Sequence, residues 1–226
     1  MSYKNVFYGN LKNKTFFSRD SDILYGDEHT TYFPDIFINH PLLDTNIING
    51  LNVYYHILVY SESSIGVVFY VNKKEIVDLE KIKENITTSD AYIQIHIDKD
   101  DKDVVIKYVN VNENMRGKGI AKFLITLSLL YTSIFSSEII LCTLDDASDN
   151  YANGIENLEK RRKEQSKNIY CRMGFSYEDE TGGPEMEGDL SFLLDKNIGQ
   201  FLKRKTRTKS KSKSKSRSKS RSKSRS

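Results

Sequence analysis

The chain has 226 residues, 38% of them hydrophobic, with 14 Tyr, 11 Phe and no Trp; that is enough for one sizeable soluble domain with its own core. Its two cysteines, Cys142 and Cys171, exclude a disulfide framework and point to reduced thiols in a cytoplasmic or nuclear setting. The net charge of +3 hides a split: residues 203–226 hold thirteen of the 34 Lys and Arg and no acid, which leaves 21 bases against 31 acids, a net −10, for residues 1–202.

The start, "MSYKNVFYGN", has no apolar stretch of the kind a signal peptide needs. "NVFYGN" has strand composition, and Pro34 and Pro41 break up any long helix between them. From Asn52 the signal sharpens. "VYYHILVY" and "IGVVFYV" are β-branched and aromatic, are separated by "SESS", and read as a hairpin. "NKKEIVDLEKIKENI" carries Ile76, Leu79, Ile82 and Ile86 at helical spacing. "AYIQIHID" and "VVIKYVNV" form a second hairpin around the charged turn "KDDKD".

Ile120, Phe123, Leu124, Leu127, Leu130, Tyr131 and Ile134 then follow a period of 3.6 and predict a deeply buried helix. The run Ile120 to Phe135 is shorter than the roughly 20 residues of a membrane span, and Lys122 interrupts it. "EIILCTL" reads as an apolar strand. "GIENLEKRRKEQSKNIYCRM" reads as a surface helix stopped by Gly174, and "FSYEDE" and "EGDLSFLLD" read as two closing strands around "TGGP". The order predicts an α/β fold (α+β, with a mixed sheet), antiparallel early on, over residues 1–202. The segment 203–226 has no apolar residue and cannot fold on its own.

Between the second hairpin and the buried helix stands Arg116-Gly117-Lys118-Gly119. A helix start leaves N–H groups unpaired and carries about half a positive charge, so an anionic group, phosphate above all, binds there. Gly117 and Gly119 let the backbone approach such a ligand without Cβ atoms in the way, and Arg116 and Lys118 add positive charge. The loop has neither the G-x-x-x-x-G-K-[ST] of a Walker A motif nor the third glycine of a dinucleotide fingerprint.

Arg116 to Ala121, R-G-K-G-I-A, instead resembles the [RQ]-x-x-G-x-[GA] pyrophosphate loop of the GCN5-related N-acetyltransferase family. The lead-in "VNVNENM" looks like the strand that enters that loop. "NIYCRMGF", Asn168 to Phe175, looks like the family's Y-x-x-x-G-F helix ending, about 55 residues downstream. The resemblance covers residues 52–195. It implies that Val109, Asn110 and Val111 face the pantetheine arm and thioester of acetyl-CoA, and that Gly117, Lys118, Gly119, Ile120, Ala121 and Lys122 wrap the pyrophosphate. Tyr170 matches the tyrosine that protonates the departing CoA thiolate. A phenol of pKa ~10 can do this for a thiol of pKa ~8.5 only in a well-ordered, shielded site, and the bland alternative for Tyr170 is a core aromatic. Seven residues before Tyr170 the family often has Asn; here it is Lys163.

Asp103, His96 and Asp145, with Asp146 beside it, are candidate general bases, each also readable as a surface charge or a satisfied polar group. Tyr32, Tyr54, Tyr55 and Tyr60 either pack the core or line the substrate groove. The four His and two Cys are scattered without ligand spacing, so no metal is expected. The implied activity is transfer of acetyl from acetyl-CoA to an amine by direct attack in a ternary complex. The acidic body suits a basic acceptor: a lysine, an N-terminus or a polyamine. The competing reading is a weak or inactive scaffold whose "KSKSKSRSKSRSKSRS" tail binds nucleic acid by counterion release or directs the protein to the nucleus.

Overall fold

The structure, a computed structural model, describes residues 5–11, 15–18, 32, 34–44, 50–73, 82–145, 160, 162–178, 184–199 and 201. Nine strands form one sheet: β1 (Asn5–Asn10), β2 (Thr15–Ser18), β3 (Asn52–Val59), β4 (Ser64–Asn72), β5 (Ala91–Asp98), β6 (Asp103–Val111), β7 (Leu141–Asp145), β8 (Ser176–Tyr177) and β9 (Glu185–Asp189). Their order is β2-β1-β3-β4-β5-β6-β7-β9-β8. Every pairing is antiparallel except β6 with β7, which a helix must therefore connect. The helices are α1 (Asp35–Ile38), α2 (Ile82–Thr88), α3 (Ile120–Phe135), α4 (Ile169–Met173) and α5, residues 190–199 with 201.

The sheet is built from β-branched and aromatic runs that bury side chains on both faces of its middle strands. On one face Val53, Tyr55, Ile57, Ile65, Val67, Phe69, Ile93 and Ile95 share the main core with α3, which is buried through most of its length and packs on β4, β5 and β6. Tyr131 of α3 packs edge-on against Phe69 of β4 at 5.5 Å and Phe37 of α1 at 5.2 Å, fixing both elements to the sheet by their rings. On the other face Tyr54, Val68 and Tyr70 form a smaller cluster with Tyr92 and with Ile86 of α2. Tyr54 and Tyr55 are thus core residues on opposite faces. No helix among the described residues is long and apolar enough to cross a membrane.

Both hairpins lie where their sequences place them. So do the glycine loop and α3. Four details depart from the sequence reading. Residues 15–18 form a strand not anticipated. β7 begins at Leu141, with Ile140 turned out to solvent. The surface helix does not run through to Met173: residues 164–167 are a turn, and Asn168, in an extended conformation, starts α4 by accepting from the Tyr170 N–H at 2.8 Å. The last apolar run is helix rather than strand. Asp189 ends β9 and caps α5, its Oδ1 accepting from the Phe192 N–H at 2.7 Å and the Ser191 hydroxyl at 2.6 Å. Leu190, Leu193, Asn197 and Phe201 then bury one helical face. Residues 74–81 of the predicted helix, residues 146–159, which include Asp146, and residues 203–226 lie outside the described residues.

His56 is fully buried between Tyr8 and Tyr70. Its ring stacks on Tyr70, its Nε2 meets the Tyr70 hydroxyl at 2.9 Å, and its Nδ1 has no partner. Burial pulls its pKa down from 6.5 to about 3. The unfolded chain therefore takes up this proton near pH 6.5 while the fold holds the ring neutral to about pH 3, so stability present above 6.5 is lost as pH falls through that window. Urea unfolding of wild type should weaken between pH 7 and pH 4 more steeply than that of His56→Phe, by at most roughly 1.4 kcal/mol per pH unit. Parallel slopes would show that His56 does not carry the effect.

Candidate functional site

The parallel pair β6–β7 is joined for only four residues, Asp103 to Ile106 against Leu141 to Leu144. At the next residue the β5–β6 register shifts: Ile95 pairs with Ile106 but Gln94 pairs with Tyr108, so Lys107 is an extra residue on β6. Such a bulge bends its strand and increases its twist. From Tyr108 to Val111 the strand keeps its partner β5, but from Lys107 to Val111 it has no strand on its β7 side among the described residues. That is ~16 Å of open strand edge. It lies toward the C-terminal ends of the two parallel strands, where α/β ligands gather.

The open edge leads into the glycine loop. Asn112 fastens the end of β6, its N–H donating to the Asp90 carbonyl and its Nδ2 to the Ser89 carbonyl, both at 3.0 Å. Glu113–Met115 make a single 3-10 turn with Met115 as its buried plug. Gly117 and Gly119 both take left-handed backbone, φ 75° and 83°, a conformation costing other residues roughly 1–2 kcal/mol each. A Cβ at Gly117 would meet no protein atom within 4 Å, so backbone geometry and not packing requires the glycine. Alternating signs of φ turn successive N–H groups toward a common concavity. Gly119 is the N-cap of α3 and offers no side chain, leaving the first-turn amides, Ile120 and Ala121 among them, without a carbonyl one turn back. Phe123 makes the first intrahelical bond, to the Gly119 carbonyl at 3.0 Å.

The two cations are placed differently from the sequence expectation. Arg116 Nε donates to the Val111 carbonyl at 3.1 Å, and Lys118 Nζ to the Asn114 carbonyl at 2.8 Å. Both side chains brace the loop they belong to, and their charge still lies beside its amides. Val109 and Val111 are half-buried against the core, whereas Asn110 and Tyr108 are exposed. Ala121 and Lys122 are half-buried in the first turn of α3.

Tyr170 sits in α4, half-buried, with its ring edge-on to Phe175 at 6.3 Å. Its helix is held at both ends. Asn168 caps the start; Gly174, at φ 116°, ends it, with the Gly174 and Phe175 N–H groups returning to the Tyr170 carbonyl. Asn197 of α5 donates to the Met173 carbonyl at 2.9 Å.

The three base candidates stand apart. Asp103 opens β6 at the closed end of the β6–β7 pair, ~26 Å of strand from Val111; burial, then Asp101 and Asp98, push its carboxyl above its usual pKa. His96 lies opposite Val105, two residues before the bulge, on the face away from α3, its Nε2 3.2 Å from the Ser64 hydroxyl and its ring 5.6 Å from Tyr60. Asp145 is exposed at the end of β7 and directly opposite Glu185. Asp145, the residue after Leu144, stands at the point where β6 leaves β7, and His96 lies one strand over from that point, whereas Asp103 is at the closed end. The bulge itself, the brace at Asn112 and the whole of α5 were missed in the sequence. The bulge had a signal: apolar positions step by two from Val104 to Ile106 and then by three to Val109.

No protein-family model matches the sequence, and no curated protein matches it. Among solved structures the chain is similar to Tetrahymena GCN5, at 17% identity over 58% of this chain and 71% of that one, TM-score 0.31. It is also similar to nourseothricin acetyltransferase, at 13% identity over 60% and 71%, TM-score 0.34. A third is a mutant of the toxin AtaT bound to the C-terminus of the antitoxin AtaR, at 8% identity over 83% and 95%, TM-score 0.29.

Gly174 answers to two constraints, its positive φ and the side chains over it: a Cβ there would come within 2.9 Å of Phe192 and 3.2 Å of Leu193. Gly50, at φ 80° with nothing within 4 Å, answers to the first alone. Gly174→Ala should therefore cost more stability than Gly50→Ala, roughly 1–3 kcal/mol against about 1, read as the difference in urea midpoints. Equal losses would mean that α5 yields to the methyl group.

Proposed function

We propose that the chain is an N-acetyltransferase that moves acetyl from acetyl-CoA to an amine within a ternary complex. One observation carries this reading: the open edge of β6 runs from the bulge at Lys107 directly to a glycine cradle at the start of a buried helix. Coenzyme A has both an extended amide-bearing arm, which can pair with a strand edge as an added strand does, and a diphosphate, which suits first-turn amides. With the diphosphate at Gly117 to Lys122 and the arm along Val109, Asn110 and Val111, the thioester lies toward the bulge.

There the neutral amine attacks the thioester carbonyl carbon. The C–N bond forms, the C–S bond breaks, and the sulfur leaves as thiolate. Tyr170 supplies the thiolate's proton and recovers one from the nitrogen, which must shed it to become an amide, so that amine and acetyl-CoA yield amide and free thiol. His96 and Asp145 are the base candidates this placement favours: the strand that carries His96 flanks the bulge and Ser64 holds its ring, and Asp145 follows the last β6–β7 pair. Asp145 and Glu185, paired across β7 and β9 with Glu187 two residues on, support a cationic acceptor approaching that side. The tail supports a second role, polyanion binding, through its thirteen cations.

Titration calorimetry should detect CoA binding to the full chain, and Gly119→Glu should abolish it by placing a carboxylate in the anion cradle. An absence of binding by wild type would sink the reading. Tyr170→Phe should keep CoA affinity and lower kcat on the order of 10²–10⁴-fold, measured as thiol release against a panel of amines. An unchanged kcat, with the chemical step shown to limit the rate, would return Tyr170 to a packing role.

A further inference from the structure

Tyr170, on which the proposed proton transfer turns, sits in a helix that could not hold itself. α4 has five residues, Ile169–Met173, fewer than a helix needs to outweigh the cost of its own nucleation. In a helix that ran on from the residues before it, the Tyr170 N–H would donate to the Ser166 carbonyl, four residues back. The chain turns at residues 164–167 and Asn168 is extended, so the helix cannot supply that bond. The Asn168 side chain supplies one instead: its Oδ1 accepts from the Tyr170 N–H at 2.8 Å. The Tyr170 carbonyl is fixed too, by the Gly174 and Phe175 N–H groups at 3.0 and 3.1 Å.

Asn168 does more than cap. It is only 7% exposed, and its Nδ2 donates to the Tyr177 hydroxyl at 3.2 Å. Tyr177 belongs to β8 and pairs with Met186 of β9, and the Arg162 guanidinium lies over its ring at 4.9 Å. One buried amide thus ties the backbone of Tyr170 to the sheet. A cap needs no second bond to start a helix; a cap anchored to a strand also fixes where the first turn of that helix stands. The geometry points to Asn168 as the positioning residue of the proton donor: with Tyr177 as its anchor, it sets where the Tyr170 hydroxyl lies relative to the leaving sulfur. The inference rests on the acetyl-CoA reading and on Tyr170 as its acid. Proton transfer requires the hydroxyl within hydrogen-bond reach of the sulfur, and a displacement of about 1 Å can cost on the order of a hundredfold in rate.

The test measures thiol release from acetyl-CoA by the full-length chain, with the most reactive amine of the panel at saturation, and CoA affinity by calorimetry. Asn168→Ala should lower kcat on the order of ten- to a hundredfold and leave CoA affinity within about twofold of wild type. Asn168→Asp keeps one oxygen for the Tyr170 N–H and one for the Tyr177 hydroxyl, which then donates, and should recover kcat to within about threefold of wild type. Tyr177→Phe, which keeps the cap and loses the anchor, should fall between the two. A double-mutant cycle separates positioning from general weakening: in a Tyr170→Phe background, Asn168→Ala should change kcat by less than about twofold. Equal losses in the two backgrounds, an unchanged kcat in Asn168→Ala, or no recovery in Asn168→Asp would overturn the inference. Should Asn168→Ala fail to fold, Tyr177→Phe takes its place in the cycle with the same criteria. If Tyr170→Phe keeps the wild-type kcat with chemistry limiting, the acid role falls and takes the inference with it, while CoA binding stands. If wild type binds no CoA, the acetyl-CoA reading falls and the inference with it.

Discussion

The site depends on one extra residue in one strand. β6 must pair with β5 along its whole length and with β7 along only part of it, and Lys107 is where those two demands separate. Before it, Val104 and Ile106 share the core face with Cys142 and Leu144 of β7, all four buried. After it, Val109 and Val111 recover the core face opposite Ile93 and Ala91. A regular strand of this length would turn those two valines to the other face, because a slip of one residue inverts every side chain beyond it. The bulge reconciles both halves with a single core and, in doing so, frees an edge.

A free edge inside a sheet would be a liability unless its end were fixed. Here it is fixed several times over within ten residues. Asn112 ties it to the α2–β5 link, Met115 is buried beneath the turn, Arg116 bonds the Val111 carbonyl at the strand's end, and Lys118 bonds the Asn114 carbonyl of the loop. The helix behind is apolar along most of its length and buried against three strands and α1. Donors aimed at a ligand are worth most when they need no reorganisation to bind it, and rigidity of this kind is what the spacing of Phe123, Leu124, Leu127 and Tyr131 supplies. The same chain positions that make α3 easy to read in the sequence therefore hold the amides of its first turn in place.

Legibility follows from how far each feature reaches along the chain. The hairpins and α3 are periodic over eight to sixteen residues, and the glycine loop is a local conformational demand, so all were visible. The bulge shows in sequence only as a step of three among steps of two, from Ile106 to Val109. α5 shows as Leu190, Leu193, Asn197 and Phe201 at helical spacing, but read only to Asp195 the same letters pass for a strand; the deciding residue is Asp189, a cap whose effect is seen only with its two hydrogen bonds. The break before α4 likewise turns on one side chain, Asn168. Asp145 was legible as the residue just past a strand end, but how Asp103 and His96 stand to the bulge was not. Asp103 and His96 are seven residues apart in sequence, yet the hairpin sets Asp103 at the closed end of the β6–β7 pair and His96 near its opening.

The charge of the chain is divided between its two ends, with thirteen cations in residues 203–226 and a net −10 in residues 1–202. A tail of alternating cations and serines has no apolar residue with which to choose a place on the body, and its attraction to an acidic surface is long-ranged and screened by salt. Phe201, in α5, is buried with its ring edge-on to Phe123 in the first turn of α3. The α5 helix is thus more than a lid on β9. Its start is set by Asp189 at the end of the sheet, its middle holds α4 through Asn197 and Leu193, and its end touches α3. One helix thus joins the end of the sheet, the short helix that carries Tyr170 and the first turn of α3.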